Sequence, residues 1–423
     1  MYYNLNTDFS LKDSGYSNYD DTTSMPRHRW YYYKEGFSPR LVESAIEQSY
    51  ITKKDLIIDP FNGSGTTTLT CSTNGFRSIG LEVNPFTSFL SDTKIKSAKV
   101  KDIRNWKVKL FKSVEKGALS PLLGYSTFSK RKNLSKWLFN DSVLNAFEGG
   151  WRFTNSIPAY NVRKLFKLSL IASAMQNCNA TKDGKCLRYN DNWWKKKFNK
   201  NSFLENLDTS LNHIEEDILK KPILSPGTII NGDSRIALSK LNGFDRFKLC
   251  ITSPPYLNTF DYTDIYRPEL FLGKFIDQTI GLQGLRLSTI RSHIQVKWEK
   301  PKLNDFGLLY KQTIRYLQDN RENLMHKDIP LMAQAYFEDM YNIFKLLKTK
   351  AAPNAYIWFV VSNSAYAGHE LPVDLILGDI GSKAGWYLKE IGVLRYLKKR
   401  KTKYSTNVHE LRESVIIFSN RKF

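Results

Sequence analysis

The sequence predicts an α/β domain built on a mainly parallel sheet and interrupted by a basic insertion. Three observations carry this. Short apolar runs rich in β-branched residues recur along the chain. Amphipathic stretches lie between some of them. One gap between consecutive runs is far longer than a crossover needs, and it holds more than half of the net positive charge. Runs this short and apolar suit strands covered on both faces. Strand–helix alternation is the pattern of a parallel sheet with helices packed on it.

The strands are expected at Leu56–Ile58, Ser78–Val83, Thr228–Ile230, Leu249–Ile251, Tyr356–Val361, Ile391–Leu394 and Val415–Phe418. A helix is expected over 336–347, where apolar residues fall three and four apart. The second and third strands are separated by roughly 140 residues, so an inserted subdomain must fill that gap. A second gap, 263–335, also exceeds a simple crossover. The organisation read from this is an N-terminal segment with the first part of the sheet domain (1–100) and an inserted, basic, mainly helical subdomain (101–225). The sheet domain continues over 226–262. A helical insertion acting as lid or second nucleic-acid contact (263–335) precedes the C-terminal part of the sheet (336–423).

Composition narrows the function. The chain has 423 residues, 41% hydrophobic and 13% aromatic, enough for a large core. A formal net charge of +22 points to a polyanionic partner. No apolar run approaches transmembrane length and the N-terminus lacks a signal-peptide core, so a cytoplasmic protein without a membrane partner is expected. Between Lys101 and Lys221 there are 23 Lys+Arg against 11 Asp+Glu, a net of 23 − 11 = +12. Aromatics are interleaved with that charge, as in DNWWKKKFNK (Asp191–Lys200), a pattern suited to neutralising phosphates and stacking on bases. Lys195, Lys196 and Lys197 are the candidate contacts there. Arg286 and Arg291, in the Leu- and Arg-rich 263–335 segment, and Lys398, Lys399 and Arg400, in the run RYLKKRKTK, are the others. The four cysteines form no CxxC pair, and no metal site is expected.

Two stretches carry chemistry. Asp55–Thr68 reads DLIIDPFNGSGTTT: an apolar strand, Asp59-Pro60-Phe61, a loop with Gly63 and Gly65, then threonines that can open a helix. Glycines allow a tight turn and close backbone approach to a ligand, at the sheet edge where open α/β folds bind ligands. The loop is neither a P-loop nor GxGxxG. The next strand ends in Glu82, in SIGLEVNP, placed to bond ribose hydroxyls, and the third ends in Asn231-Gly232-Asp233. Acids at three consecutive strand ends point to an adenosine-like, cationic ligand without phosphates. The second stretch, KLCITSPPYLNTFDY (Lys248–Tyr262), ends a buried strand in a hydroxyl, two prolines and an aromatic ring.

With these residues in view, the sequence resembles the amino-methylating DNA methyltransferases. DPFNGSGTT is similar to their motif I and TSPPY to their catalytic motif IV; FSPRLV (Phe37–Val42) is similar to the segment packed beside the methionine moiety. The resemblance implies a seven-stranded Rossmann-like methyltransferase sheet with its last strand antiparallel, and S-adenosyl-L-methionine as cofactor. It implies a cofactor site of Phe37, Ser38, Asp59, Phe61, Gly63, Gly65, Thr66, Thr67, Glu82, Asn84, Asp233 and Ser253, in which Glu82 holds the ribose and Asp233 faces the adenine. Ser253, Pro254, Pro255 and Tyr256 become the catalytic residues. The Ser253 hydroxyl and the Pro254 carbonyl would accept the two N–H bonds of a target amine, and Tyr256 would stack on a base flipped out of double-stranded DNA. Ser at the first position of the tetrapeptide goes more often with cytosine N4 than with adenine N6. The expectation is therefore N4-methylcytosine, within a restriction–modification system whose endonuclease partner is not needed for activity. Adenine N6, RNA, and a DNA-binding protein with a dead cofactor fold are the alternatives. C5 chemistry needs a cysteine nucleophile, and no Pro-Cys dipeptide occurs.

Overall fold

The computed structural model describes residues 4–9, 16, 20–184, 186–241, 246–398 and 408–422. In chain order the elements begin with β1 (Leu5–Asn6), α1 (Pro39–Gln48), β2 (Leu56–Asp59), α2 (Thr66–Thr73), β3 (Arg77–Glu82) and α3 (Pro85–Lys94). The insertion follows: α4 (Val100–Lys116), α5 (Asp141–Thr154), α6 (Tyr160–Gln176), a hairpin of β4 (Ala180–Asp183) and β5 (Cys186–Tyr189), and α7 (Lys200–Lys220). The chain then returns to the sheet with β6 (Thr228–Asn231), α8 (Ser234–Lys240) and β7 (Phe247–Thr252). Helices α9 (Tyr262–Ile265), α10 (Arg267–Leu272), α11 (Thr279–Leu287) and α12 (Leu308–Asp319) occupy the second gap. The chain closes with α13 (Ile329–Lys350), β8 (Ala351–Ser362), β9 (Ser364–Tyr366), β10 (His369–Leu371), α14 (Val373–Lys383), β11 (Tyr387–Lys398) and β12 (Glu410–Ser419).

All seven expected strands form, in one sheet of order β1-β11-β12-β8-β7-β2-β3-β6. β12 runs antiparallel to both its neighbours, and the other pairs are parallel. The sheet has eight strands rather than seven. The addition is the two-residue edge strand β1, which pairs with Ile391 and Gly392 of β11. Two residues are too short to show any periodicity, so nothing in the local sequence announces it. The expected helix 336–347 is the middle of α13, which is buried along most of its length.

Alternation along the buried strands divides the core. Ile57, Leu249, Ile251, Trp358 and Val360 face one side, with Leu41, Val42 and Ala45 of α1. Ile58, Cys250, Ile357 and Phe359 face the other, with α13 and α14 residues such as Phe344 and Ile380. Successive residues point to opposite faces, so a strand apolar at every position is covered twice. The insertion holds its own apolar cluster, including Phe147, Trp151, Leu165 and Leu211, and this runs on into Trp30, Tyr31, Phe86 and Tyr266. Asp217 of α7, fully buried, fastens the N-terminal segment to it. Its carboxylate accepts from the Arg27 backbone N–H at 2.8 Å, the Trp30 indole at 2.9 Å and the Arg29 guanidinium at 2.6 Å. The insertion is thus packed against the N-terminal segment and not hung on a free linker. It is mainly helical, interrupted by the turns and loop of 117–140 and by the β4–β5 hairpin. No described helix is long and apolar enough to cross a membrane.

Candidate active site

The carboxyl ends of the central strands open into a cavity of about 490 Å³, where ligands of open α/β sheets bind. It brings together residues far apart in sequence. Phe37, Phe61, Gly63, Glu82, Asn84 and Asp233 line it, as do Ser253, Pro254, Pro255 and Tyr256. The two motif stretches are tied by one bond: Thr252 Oγ1 donates to Asp59 Oδ1 at 2.6 Å, and the Phe61 N–H donates to the same oxygen at 3.0 Å.

Asp59 itself does not line the cavity; it is 1% exposed and holds the loop from below. Burial pushes its carboxyl up to about 6, against the opposing pull of the Thr252 and Phe61 hydrogen bonds. Four more expected cofactor residues are also absent from the cavity wall. Ser38 caps α1, accepting from Arg40 N–H at 3.3 Å and donating to Asp21 at 2.9 Å. Gly65 caps α2 with φ +88, and a Cβ there would meet Ser91 Cβ at 2.7 Å. Thr66 and Thr67 are buried in the first turn of α2. These residues shape the loop whose Gly63 and Phe61 reach the surface.

Glu82 closes the other side of the loop. It accepts from Gly63 N–H at 2.7 Å and Asn84 N–H at 2.9 Å. Burial raises its carboxyl above the ordinary value, and those N–H groups oppose the rise. Asp233 differs from expectation. It lines the cavity, but its carboxylate is gripped by Arg235 (Nη2 at 2.7 Å, Nε at 3.0 Å) and caps α8 through Arg235 N–H. Its charge is compensated, so it offers edge contacts to a ligand rather than a free negative charge.

At the end of β7, Ser253 Oγ donates to the Tyr256 hydroxyl at 3.4 Å, and that hydroxyl donates to Glu413 Oε1 at 2.8 Å. Burial, then the Glu413 charge, push the Tyr256 hydroxyl well above its usual value. The following loop is pinned from β9, where Tyr366 Oη donates to the Leu257 carbonyl at 3.1 Å. Asp261 caps α9 through Thr263 N–H at 2.9 Å.

Several cavity residues carry no motif. Tyr33 lies over Gly63 and stacks on Tyr266 at 5.3 Å, and the Tyr266 hydroxyl bonds Glu35. Lys182 of the insertion hairpin sits 3.6 Å above the Tyr266 ring and 2.5 Å from Glu269, and Gly184 of the same hairpin reaches the cavity. His293 also lines it, its imidazole held below the usual value by burial. Nothing local marked Glu413, which lies more than 150 residues beyond Tyr256. Among the described residues, no group of three or more His, Cys, Asp or Glu could hold a metal ion.

The candidate DNA-contacting cations divide. Lys195, Lys196 and Lys197 are exposed, beside Trp194 at 64% exposure, on a turn anchored by Trp193 packed edge-on to Trp137. Lys398 is exposed at the end of β11, and Lys399 and Arg400 lie outside the described residues. Arg291 is 8% exposed and forks onto Glu338 and Asp339 at 2.7 Å each, so it is an internal brace and not a phosphate contact. Arg286 is committed to Asp261 at 2.6 Å. Local sequence could not separate these, because the acids that claim the two arginines come from other elements or from beyond a turn.

A donor set of this kind fits a sulfonium nucleoside. The glycine loop has no Lys or Arg to meet a phosphate, and carboxylates (Glu82, Glu35) alternate with aromatic faces (Tyr33, Phe37, Phe61) around the cavity.

Comparison with known proteins agrees with this chemistry. A family model described as DNA methylase matches residues 7–88. The chain is 28% identical over 456 aligned residues to the type II methyltransferase M.BsoBI of Geobacillus stearothermophilus, covering 95% of this chain and 87% of that protein. It is 27% identical to the type II methyltransferase M.AvaI of a Nostoc strain, covering 88% and 81%. An rRNA methyltransferase structure from Streptomyces viridochromogenes aligns over 91% of this chain and 86% of that one, at 11% identity and a TM-score of 0.31. The DNA methylase match over residues 7–88 and the likeness to type II methyltransferases along nearly the whole length make this chain similar to DNA methyltransferases and support S-adenosyl-L-methionine as its methyl donor.

Proposed function

We propose that the chain methylates the exocyclic N4 of cytosine in double-stranded DNA, on a base flipped into the cavity. The observation that carries this is the Ser253 hydroxyl at the end of β7, in the same cavity as Gly63 and Glu82 and tied to their loop through Thr252 and Asp59. The cofactor, when bound, supplies an electrophilic methyl group on a sulfonium. Everything else falls to the protein. A ring-conjugated amine is a poor nucleophile because its lone pair is delocalised. Acceptors on its two N–H groups favour a pyramidal nitrogen with the lone pair aimed at the donor. Ser253 Oγ and the Pro254 carbonyl serve as those acceptors, with Pro255 fixing the carbonyl's direction. The Tyr256 ring offers a stacking face. Orientation and water exclusion supply most of the rate, and no covalent enzyme intermediate is needed. Glu82 holds the ribose and Phe37 packs beside the methionine chain.

In this reading the insertion over 101–225, with Lys195–Lys197 exposed, is the candidate target-recognition unit. The α9–α12 segment covers the catalytic loop. The type II relatives favour a role in a restriction–modification pair, in the cytoplasm, with the endonuclease acting separately. Nucleoside mass spectrometry of unmethylated duplex DNA incubated with the chain and S-adenosyl-L-methionine tests the proposal. N4-methylcytosine is the expected product. N6-methyladenine would overturn the reading of Ser253, and no modified base with the cofactor bound would overturn DNA as the substrate.

A further inference from the structure

We propose that Glu413 is a positioning residue for methyl transfer: through Tyr256 it fixes the direction of the Ser253 proton and so makes Ser253 an acceptor toward the cavity. The inference rests on the amino-methylation reading above and adds a residue outside both sequence motifs.

Glu413 lies on β12, 4% exposed, directly across from Arg395 of β11 and Ser362 of β8. A carboxylate offers only acceptors. One oxygen takes Arg395 Nε at 2.6 Å, and the other takes the Tyr256 hydroxyl at 2.8 Å. A phenol has a single proton. Once that proton is given to Glu413, the Tyr256 oxygen can only accept, and its neighbour at 3.4 Å is Ser253 Oγ. Ser253 also has one proton, and a long contact at 3.4 Å directs it to the Tyr256 oxygen. Its lone pairs are left for the cavity, which is what an incoming amino N–H requires. Reversing the chain would turn the Ser253 proton toward the substrate, donor against donor. Three residues, two in the loop after β7 and one on β12, thus encode one hydrogen-bond polarity, and the charged end sets it.

Glu413→Gln is nearly isosteric and reverses that polarity. Arg395 requires an acceptor, so the amide oxygen turns to Arg395 and the amide N–H₂ to Tyr256. The test is single-turnover transfer of labelled methyl from S-adenosyl-L-methionine to unmethylated duplex DNA by the full chain, with labelled-cofactor binding measured in parallel. Glu413→Gln is expected to bind cofactor as the parent does and to transfer methyl at least about tenfold more slowly, the worth of one charge-assisted hydrogen bond. Glu413→Asp should recover part of the rate. In the Tyr256→Phe background, where the link is cut and the ring kept, Glu413→Gln should cost nothing further. A Glu413→Gln rate within about twofold of the parent, or the same loss in the Tyr256→Phe background, overturns the inference, because coupled residues must be non-additive. So does a variant that no longer binds cofactor, since the role would then be structural. N6-methyladenine from the parent chain would overturn the base assignment alone, since that amine needs the same acceptor.

Discussion

Asp59 carries its carboxyl group into the interior, and its titration is a stability statement. Its folded-state value is raised, to about 6 from an ordinary 3.8. Between those values the folded chain keeps a proton that the unfolded chain has lost. Stability therefore falls as pH rises through that window and is flat above it, a loss on the order of 3 kcal/mol. Asp59→Asn keeps an oxygen for Thr252 and the Phe61 N–H and removes the charge. We expect this variant to melt several degrees above the parent at pH 8 and together with it at pH 4, in thermal melts across that range. A residue whose sequence context suggested direct cofactor contact is in this structure a brace for the loop that lines the site. The distinction was not visible in DPFNGSGTT, because burial of one carboxylate depends on what β7 places above it.

At the scale of elements, the strand–loop–helix unit over β2 and α2 was legible down to its glycines, but for an incomplete reason. Gly63 faces the cavity as expected, whereas Gly65 is required by packing. Its φ of +88 suits glycine, and α3 approaches so closely that Ser91 Cβ would stand 2.7 Å from a new Cβ. Gly65→Ala should destabilise the chain by about 1–3 kcal/mol in urea unfolding, and weaken cofactor binding because the Asn62–Gly65 turn must open. Other elements left no local mark. β4 and β5 read ATKD and CLRY, too short to stand out as strands in sequence, and they are held by docking. Lys182 meets Glu269 and the Tyr266 ring, contacts made across a sequence distance no window spans.

At the scale of the whole molecule, the excess of positive charge does not report where it acts. Some cations are spent internally: Arg27 gives its guanidinium to backbone carbonyls of Lys94 and Lys96, and Arg291 braces α13. Lys195–Lys197 remain in solvent. Replacing all three by Ala is expected to weaken DNA binding and to reduce the slope of log Kobs against log salt by about 2–3, near one counterion per lost phosphate contact. Arg291→Met should leave that slope unchanged and lower the melting temperature, since it removes the guanidinium from Glu338 and leaves Asp339 with Arg235 alone. Fluorescence anisotropy over a salt series separates the two.

The sequence by itself determined seven of the eight strands of the main sheet, the α/β class, the place of the insertion, and the two strand ends, DPF and TSPPY, that meet in the cavity. Those features depend on local patterning, which buried strands and tight glycine turns must obey. Tertiary structure alone decided which acids are free and which are claimed, and which cations face solvent. It also decided that Glu413 stands behind Tyr256. Hydrogen-bond and ion-pair partners are chosen by proximity in space, and β12 reaches the catalytic loop only once the sheet has closed its order beside β8.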